Sequence, residues 1–446
     1  MPAEFEFSPV KLVYGGDALG FHAGRTVLAP RVLPGERAEV EEFRRQKGVI
    51  HAHPLRILDA ASERVEPLCP YFGRCGGCQY QHLAYAAQVA AKVEILRETL
   101  RRVGQVKWEA PIPAHSGPEW NYRNQAQLKI ASPPGGAPGL GFFQAESNRL
   151  IPVDACPILS PRLNELLAVL RSEPWISALA YGREVEVLAD DRDERVMLTL
   201  AGSWNPQEAE ALGARCLAEL AGVATVAVTQ DANLRVFGEP HLTYRVGECA
   251  YQISPTAFFQ SARFLLPELA ATVTGEESGG VAIDLYAGVG FFTLPLVKRF
   301  EHVIAVEAHA PAAADLAANA RTAFGKRIRT HGATAYDFLR RCAQMDPDLV
   351  VMDPPRAGVG AETLRLLLDL RPKRLHYVSC SPPTLARDLG FLLQHGYRLD
   401  TLEMFDCFPH TYHIESLARL SRIGGESARS VPLVRPNTGY QTPTHL

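Results

Sequence analysis

The sequence predicts an α/β protein whose carboxyl-terminal half is a doubly wound, Rossmann-like parallel sheet, preceded by a small β-barrel and an α+β middle region. Three observations predict it. After about residue 255, apolar strand-like runs alternate with turns and helical patterns through "GVAIDLYAG", "HVIAVEA", "DLVVMDPP" and "RLHYVSCS", which is the βαβ signature. Residues 1–60 instead alternate apolar and polar positions around turn signals at Gly15-Gly16, Gly24 and "LPGE", as a small antiparallel barrel would. Residues 110–250 mix short strands ("AQLKIAS", "VEVLAD", "RVMLTLAG", "TVAVTQ", "LRVFG") with Leu/Ala-rich helical stretches near Leu166 and Leu212.

Taken in order, the chain divides into a barrel (1–60), a cysteine-containing central region (61–250), the doubly wound domain (251–423) and a tail (424–446). From Ala84 to Val103, Ala, Leu, Ile and Val recur at helical spacing among Lys, Arg and Glu, giving an amphipathic helix of about five turns. The tail, "GGESARSVPLVRPNTGYQTPTHL", is rich in Gly, Pro, Ser and Thr without periodicity, the composition of disorder.

Composition narrows the class. The chain has 446 residues and 47% hydrophobic content, enough for several packed cores. No apolar run reaches the roughly 18 to 20 residues that span a bilayer, and "MPAEFEFSPV" has neither the basic start nor the apolar core of a signal peptide. A cytoplasmic protein without a membrane partner is expected. The net charge of −3 neither favours nor excludes nucleic acid, but "RRQKG" and "LRETLRRVGQVK" put basic clusters in the amino-terminal third. Nine cysteines in an intracellular chain read as metal ligands or catalytic thiols rather than a disulfide framework.

Three strand ends define a candidate crevice, because ligands of open α/β sheets bind outside the carboxyl ends of the strands. The run "HYVSCSPPTLARDL" places Cys380 between a strand and a helix, the position of an exposed nucleophile. "VVMDPPRAG" ends its strand at Asp353, and "IDLYAGVG" ends in a turn through Gly288 and Gly290, where backbone N–H groups approach a nucleotide. Nineteen positions after Gly288, Glu307 closes the next strand, placed to accept hydrogen bonds from ribose hydroxyls. The residues point to an adenosine-containing ligand, S-adenosylmethionine or a nicotinamide dinucleotide; the missing third glycine favours the former.

Cys69, Cys75 and Cys78 form a C-x5-C-x2-C array in "CPYFGRCGGCQYQHL", and Cys156 in "DACPIL" offers a fourth thiol. Four thiolates suit zinc or a [4Fe–4S] cluster, and a triad plus one distant Cys-Pro is the habit of clusters. Cys216, Cys249, Cys342 and Cys407 read as buried structural thiols.

"DPPRAG", "SCSPPTLARDL" and "FPHTYHIESL", with "SPTAFFQ", "RNQAQLK" and "GFFQAESNRLIPVDACPIL", resemble the signature segments of the RNA uracil-5-methyltransferases. "GRTVLAPRVLPGERAEVEE" is similar to the TRAM RNA-binding barrel. The resemblance spans nearly the whole chain except the tail and is nearest to the branch that has a TRAM barrel and an iron–sulfur cluster and acts on 23S ribosomal RNA.

It implies an S-adenosylmethionine-dependent, monomeric enzyme forming 5-methyluridine in RNA. Cys380 would be the nucleophile and Glu415, in "HIES", the base. Gln260, Tyr286, Gly288, Glu307 and Asp353 would line the cofactor and pyrimidine site, and Cys69, Cys75, Cys78 and Cys156 would hold the cluster. Arg25, Arg31 and Arg37 are expected to grip RNA backbone from the barrel. The chain departs from the pattern at Ala287, Phe291 and Ser381, where the family usually carries Cys, Asn and Asn; an aromatic ring at 291 cannot replace an amide contact to the methionine moiety. An RNA 5-methylcytosine enzyme would need a second cysteine where this chain has Asp353-Pro354-Pro355. A non-catalytic RNA-binding protein would be expected to lose Cys380 or Glu415.

Overall fold

The computed structural model describes residues 3–132, 138–230, 233–342 and 345–424; the disorder expected of the tail falls, apart from Gly424, outside the described residues. Strands β1 (Glu4–Phe7), β2 (Pro9–Leu12), β3 (Asp17–His22), β4 (Arg25–Pro30), β5 (Arg37–Gln46) and β6 (Val49–Asp59) form one curled sheet in the order β1-β5-β6-β4-β3-β2. The expectation of a purely antiparallel barrel needs correction, because β4 and β6 run parallel, Val27 facing Ile50. The strand pattern showed period but not partner choice, which the connection from β4 across to β6 decides.

Helix α1 (Tyr85–Val103) follows the cysteine segment, and its buried stripe of Gln88, Lys92, Ile95, Leu96 and Leu100 has helical periodicity with two polar residues inside it. The middle sheet contains β8 (Gln125–Ala131), β9 (Gly139–Phe143), β10 (Leu150–Pro152), β11 (Gly182–Ala189), β12 (Val196–Gly202), β13 (Val223–Gln230) and β14 (Asn233–Gly238) in the order β10-β9-β8-β11-β12-β13-β14. Helices α2 (Pro161–Arg171), α3 (Trp175–Ala178) and α4 (Pro206–Glu219) accompany it. Local chemistry fixes two of their starts. Ser160 accepts the Leu163 N–H before Pro161, and Asn205 and Glu208 make a reciprocal capping box before Pro206; such caps contribute about 1 kcal/mol each.

A hairpin of β15 (Leu242–Val246) and β16 (Cys249–Ile253) leads through α5 (Leu266–Thr274) into the large sheet. That sheet is built from β17 (Gly279–Leu285), α6 (Thr293–Leu296), β18 (Phe300–Glu307), α7 (Ala310–Phe324), β19 (Ile328–Gly332), α8 (Ala335–Arg341), β20 (Leu349–Met352), α9 (Ala361–Leu370), β21 (Arg374–Ser379), α10 (Pro382–Gln394), β22 (Tyr397–Phe405) and β23 (Glu415–Arg422). Its order is β19-β18-β17-β20-β21-β23-β22-β7, where β7 is the short segment Ala114–His115. Strands β17 to β21 pair parallel, and β23 turns antiparallel against β21 and β22.

The large sheet recruits pieces from far upstream. β7 pairs with β22. Helix α1 lies on α10, so closely that a Cβ on Gly104 would stand 2.1 Å from the Ala386 carbonyl oxygen. One apolar core therefore runs from Val27, Val40 and Ile50 through Leu96 and Leu100 to Leu385 and Leu389. The opposite face buries the β15–β16 hairpin with α5 and α7. Cys216, Cys249 and Cys407 are buried, whereas Cys342, which caps the carboxyl end of α8, is only partly covered.

Candidate active site

Tyr286, Glu307, Asp353 and Cys380 stand at or just past the carboxyl ends of β17, β18, β20 and β21, and together they line a cavity of about 840 Å³. Parallel pairing in register makes this happen: Leu285 faces both Val306 and Met352, so the residues that follow emerge at one level. The turn after β17 has left-handed backbone at Tyr286, Gly288 and Gly290, with φ of 64°, 54° and 99°. That turn directs the Gly288 N–H at Glu307 Oε2, 2.9 Å away, while the His309 N–H donates to Oε1 at 2.6 Å. Both oxygens of Glu307 are thus held by backbone N–H groups at the wall of the cavity. Asp284, inside β17, is fully buried with Thr293 as hydroxyl donor, and burial pushes its carboxyl up to about 7.

Gln260 Nε2 donates to Asp353 Oδ2 at 3.0 Å. Burial pushes the Asp353 carboxyl up to about 6, and the Gln260 hydrogen bond pulls in the other direction. Glu415, the first residue of β23, is held well above the usual carboxylate range by burial and then by the negative charge of Asp353. Its Oε1 is buried with no partner, which a catalytic acid or base awaiting substrate would show. Burial, Glu415 and Asp353 together push the half-buried Cys380 thiol up to about 12, with Arg356 as the opposing cation.

Phe291, where an amide was expected, lines the same cavity and also packs on Tyr251, Phe259 and Phe292 in the core. Its ring is an apolar wall, and its carbonyl accepts the Tyr251 hydroxyl at 3.0 Å. Four further residues were not assigned a role from sequence. Arg356 lies 3.4 Å from His413 Nε2; Phe258 is 64% exposed beside the cavity mouth; and Tyr14, from the amino-terminal sheet, approaches Ser381 and Cys380. Arg356 and Phe258 sit inside the quoted motifs, so a signal existed for them. Nothing local to Tyr14 connects it with a thiol so far along the chain.

Cys69, Cys75, Cys78 and Cys156 line a second cavity, also about 840 Å³, which shares Thr256, Phe258, Gln260, Arg356, Phe408 and His413 with the first. Burial, reinforced by the neighbouring thiols, pushes Cys78 up to about 12 and Cys156 up to about 11. The Gly77 N–H donates to Cys75 Sγ at 3.4 Å, and a Cβ on Gly76 would stand 3.0 Å from the Ala145 nitrogen, so a larger residue there would have to push the backbone at Ala145 aside. Among the described residues, no three His, Cys, Asp or Glu side chains are set at metal-binding spacing. The thiols are gathered without being set as a coordination shell. Their chemistry, four soft donors with N–H groups directed at sulfur, still fits a thiolate-bound metal centre.

A crevice at the strand ends, lined by a thiol and three carboxyl groups, defines a group-transfer enzyme of the doubly wound class. Residues 84–423 match the model of the tRNA (Uracil-5-)-methyltransferase family, and the chain belongs to this family of RNA uracil-5-methyltransferases. It is 33% identical to an uncharacterized RNA methyltransferase of Aquifex aeolicus, over 92% of this chain and 96% of that one. It is also 33% identical to the 23S rRNA (uracil(1939)-C(5))-methyltransferase RlmD of Alkalilimnicola ehrlichii, over 95% and 98% of the two chains. The fold is similar to that of Pyrococcus abyssi tRNA (uracil-54, C5)-methyltransferase, solved with S-adenosyl-L-homocysteine, at a TM-score of 0.73 and 23% identity, covering 93% of this chain and 100% of that one. No helix among the described residues is long and apolar enough to cross a membrane.

Proposed function

We propose that this chain methylates carbon 5 of a uridine in 23S ribosomal RNA through a covalent adduct between Cys380 and carbon 6 of the ring. The observation that carries the reading is the single cavity shared by Cys380, Asp353, Gln260, Glu307 and the unpartnered Glu415. Carbon 5 of uracil is a poor nucleophile, so Cys380 first loses its thiol proton to water and adds to carbon 6 as the thiolate, and the electron pair of the double bond makes carbon 5 reactive. S-adenosylmethionine supplies the electrophilic methyl group. Glu415 then takes the proton left on carbon 5, the C5–C6 double bond re-forms, and the sulfur departs with the C6–S electron pair. Burial and Asp353 raise the proton affinity of the Glu415 carboxyl, so that, once ionised, it is a stronger base than an ordinary carboxylate.

The Asp353–Gln260 pair offers hydrogen bonds to the pyrimidine edge, Glu307 receives ribose hydroxyls, and Tyr286 and Gly288 shape the turn beside them. Choice of 23S ribosomal RNA follows the RlmD relatives, which align along nearly the whole chain. A [4Fe–4S] cluster on Cys69, Cys75, Cys78 and Cys156 is part of the same proposal, supported by the shared cavity and the N–H···S contact.

The test compares 5-methyluridine in ribosomal and transfer RNA from cells with and without this protein, by nuclease mapping and mass spectrometry. Loss of one mark from the large-subunit RNA is expected. Loss confined to transfer RNA would reassign the substrate, and loss from neither would refute the activity.

A further inference from the structure

Glu415 is delivered to the site by residues 406–414, and the backbone of this loop is held from outside by three consecutive carbonyls. Lys92 Nζ donates to the Phe408 oxygen at 2.9 Å, the Tyr122 hydroxyl donates to the Pro409 oxygen at 3.1 Å, and the Gln79 and Tyr80 N–H groups both donate to the His410 oxygen at 2.8 Å. His410 has left-handed backbone, φ 67°, a conformation that a non-glycine residue keeps only where its surroundings over-determine it. Gln88 supplies that constraint. Its Oε1 accepts the His410 N–H at 2.9 Å, which fixes the amide orientation, and its Nε2 then donates to His410 Nδ1 at 3.1 Å and to the Leu83 carbonyl at 2.7 Å. Trp120 stacks on the imidazole at 3.9 Å.

Gln88 and Lys92 are both 0% exposed on α1. Lys92 also donates to Asp406 Oδ1 at 2.6 Å, the two side chains fully buried. A buried ion pair of this kind contributes little net stability compared with apolar side chains of the same volume, so its presence calls for a role other than holding the core together. The loop it grips places Phe408 and His413 in the wall of the cavity that contains Cys380 and Glu415.

We propose that Gln88 and Lys92 are positioning residues for Glu415: α1 and the segment directly after Cys78 clamp loop 406–414 so that the carboxyl faces the reacting ring. The proposal rests on the reading of Glu415 as the base. The clamp acts on the elimination step, in which Glu415 takes the carbon 5 proton, the C5–C6 double bond re-forms and the Cys380 sulfur leaves. It also joins the four-cysteine segment mechanically to the active site through Gln79 and Tyr80.

The test compares wild type, Gln88→Leu, the double variant Lys92→Met/Asp406→Leu and Glu415→Gln with a labelled transcript of 23S ribosomal RNA. The double variant removes both buried charges together, so that neither is left unpaired and the fold is retained. Turnover, S-adenosylhomocysteine binding, the thermal midpoint and the fraction of RNA covalently bound on a denaturing gel are measured. Displacing a base by about an ångström costs on the order of 10²-fold. The clamp variants should therefore lose about that much turnover, keep S-adenosylhomocysteine affinity and accumulate the covalent adduct, as Glu415→Gln does. An adduct in Glu415→Gln but in neither clamp variant would overturn the clamp and leave the base assignment standing. Wild-type turnover, or turnover lost only in proportion to folded protein, would do the same. No adduct even in Glu415→Gln would remove the base assignment and the clamp with it.

Discussion

Cys380, the nucleophile of the proposed mechanism, is expected to be poorly reactive in the free protein. Cys380 is pushed up to about 12 from an ordinary value of 9.0, first by burial, then by Glu415 and Asp353. At pH 8 a thiol at 12 is ionised in about one molecule in ten thousand, against about one in ten for a thiol at 9. Alkylation of Cys380 by iodoacetamide should therefore run about a thousandfold slower at pH 8 than that of an unperturbed thiol, and climb about tenfold per pH unit through pH 11 without levelling. The rate is read from mass spectrometry of the Cys380 peptide, which separates it from the other eight cysteines. Arg356 is the cation that opposes the rise, so Arg356→Met should slow alkylation further. A midpoint near 9, or faster alkylation in Arg356→Met, would refute the reasoning. For the proposed mechanism, such a rate profile would mean that the thiol stays protonated until substrate changes its surroundings.

Three more outcomes are expected. Cys380→Ala should abolish methyl transfer while leaving RNA affinity and the thermal midpoint nearly unchanged, since the proposed role of the half-buried thiol is in bond formation rather than in packing; wild-type-like turnover would sink the mechanism. Anaerobically purified protein should be brown with broad absorbance near about 400 nm, the mark of iron–sulfur centres, and Cys78→Ser should bleach it; stoichiometric zinc without iron would replace the cluster by a zinc site. Gly104→Ala, whose Cβ would meet the Ala386 carbonyl oxygen at 2.1 Å, should lower unfolding stability by about 1–3 kcal/mol, the usual cost of overpacking, and urea melts showing no change would mean that α1 and α10 can separate freely.

The strand-end residues were legible because a parallel sheet puts successive strand ends on one level, and each strand here is a short apolar run closed by a turn. Cys380, Asp353 and Glu307 follow directly from that periodicity. Glu415 was legible only through its motif, since an acid at the start of an antiparallel strand has no distinguishing pattern. Tyr14 and Lys92 could not be found in this way. Tyr14 is one tyrosine among many in a β-rich segment, and Lys92 has the local pattern of an ordinary solvated position on an amphipathic helix.

The sequence by itself determined the periodicities, the turns and caps, the cysteine spacing and the order of the strand-end residues, all of which depend on neighbours within a few positions. Only the tertiary structure decided that β4 pairs parallel with β6, that Ala114–His115 closes the edge of the catalytic sheet, and that α1 leaves the cysteine segment to lie on α10. It also decided the proton affinities of the site. Burial raises Asp353, Glu415 and Cys380, Asp353 adds to the rise of Glu415, and both carboxyls add to that of Cys380; these residues are far enough apart in the chain that no local pattern contains their distances.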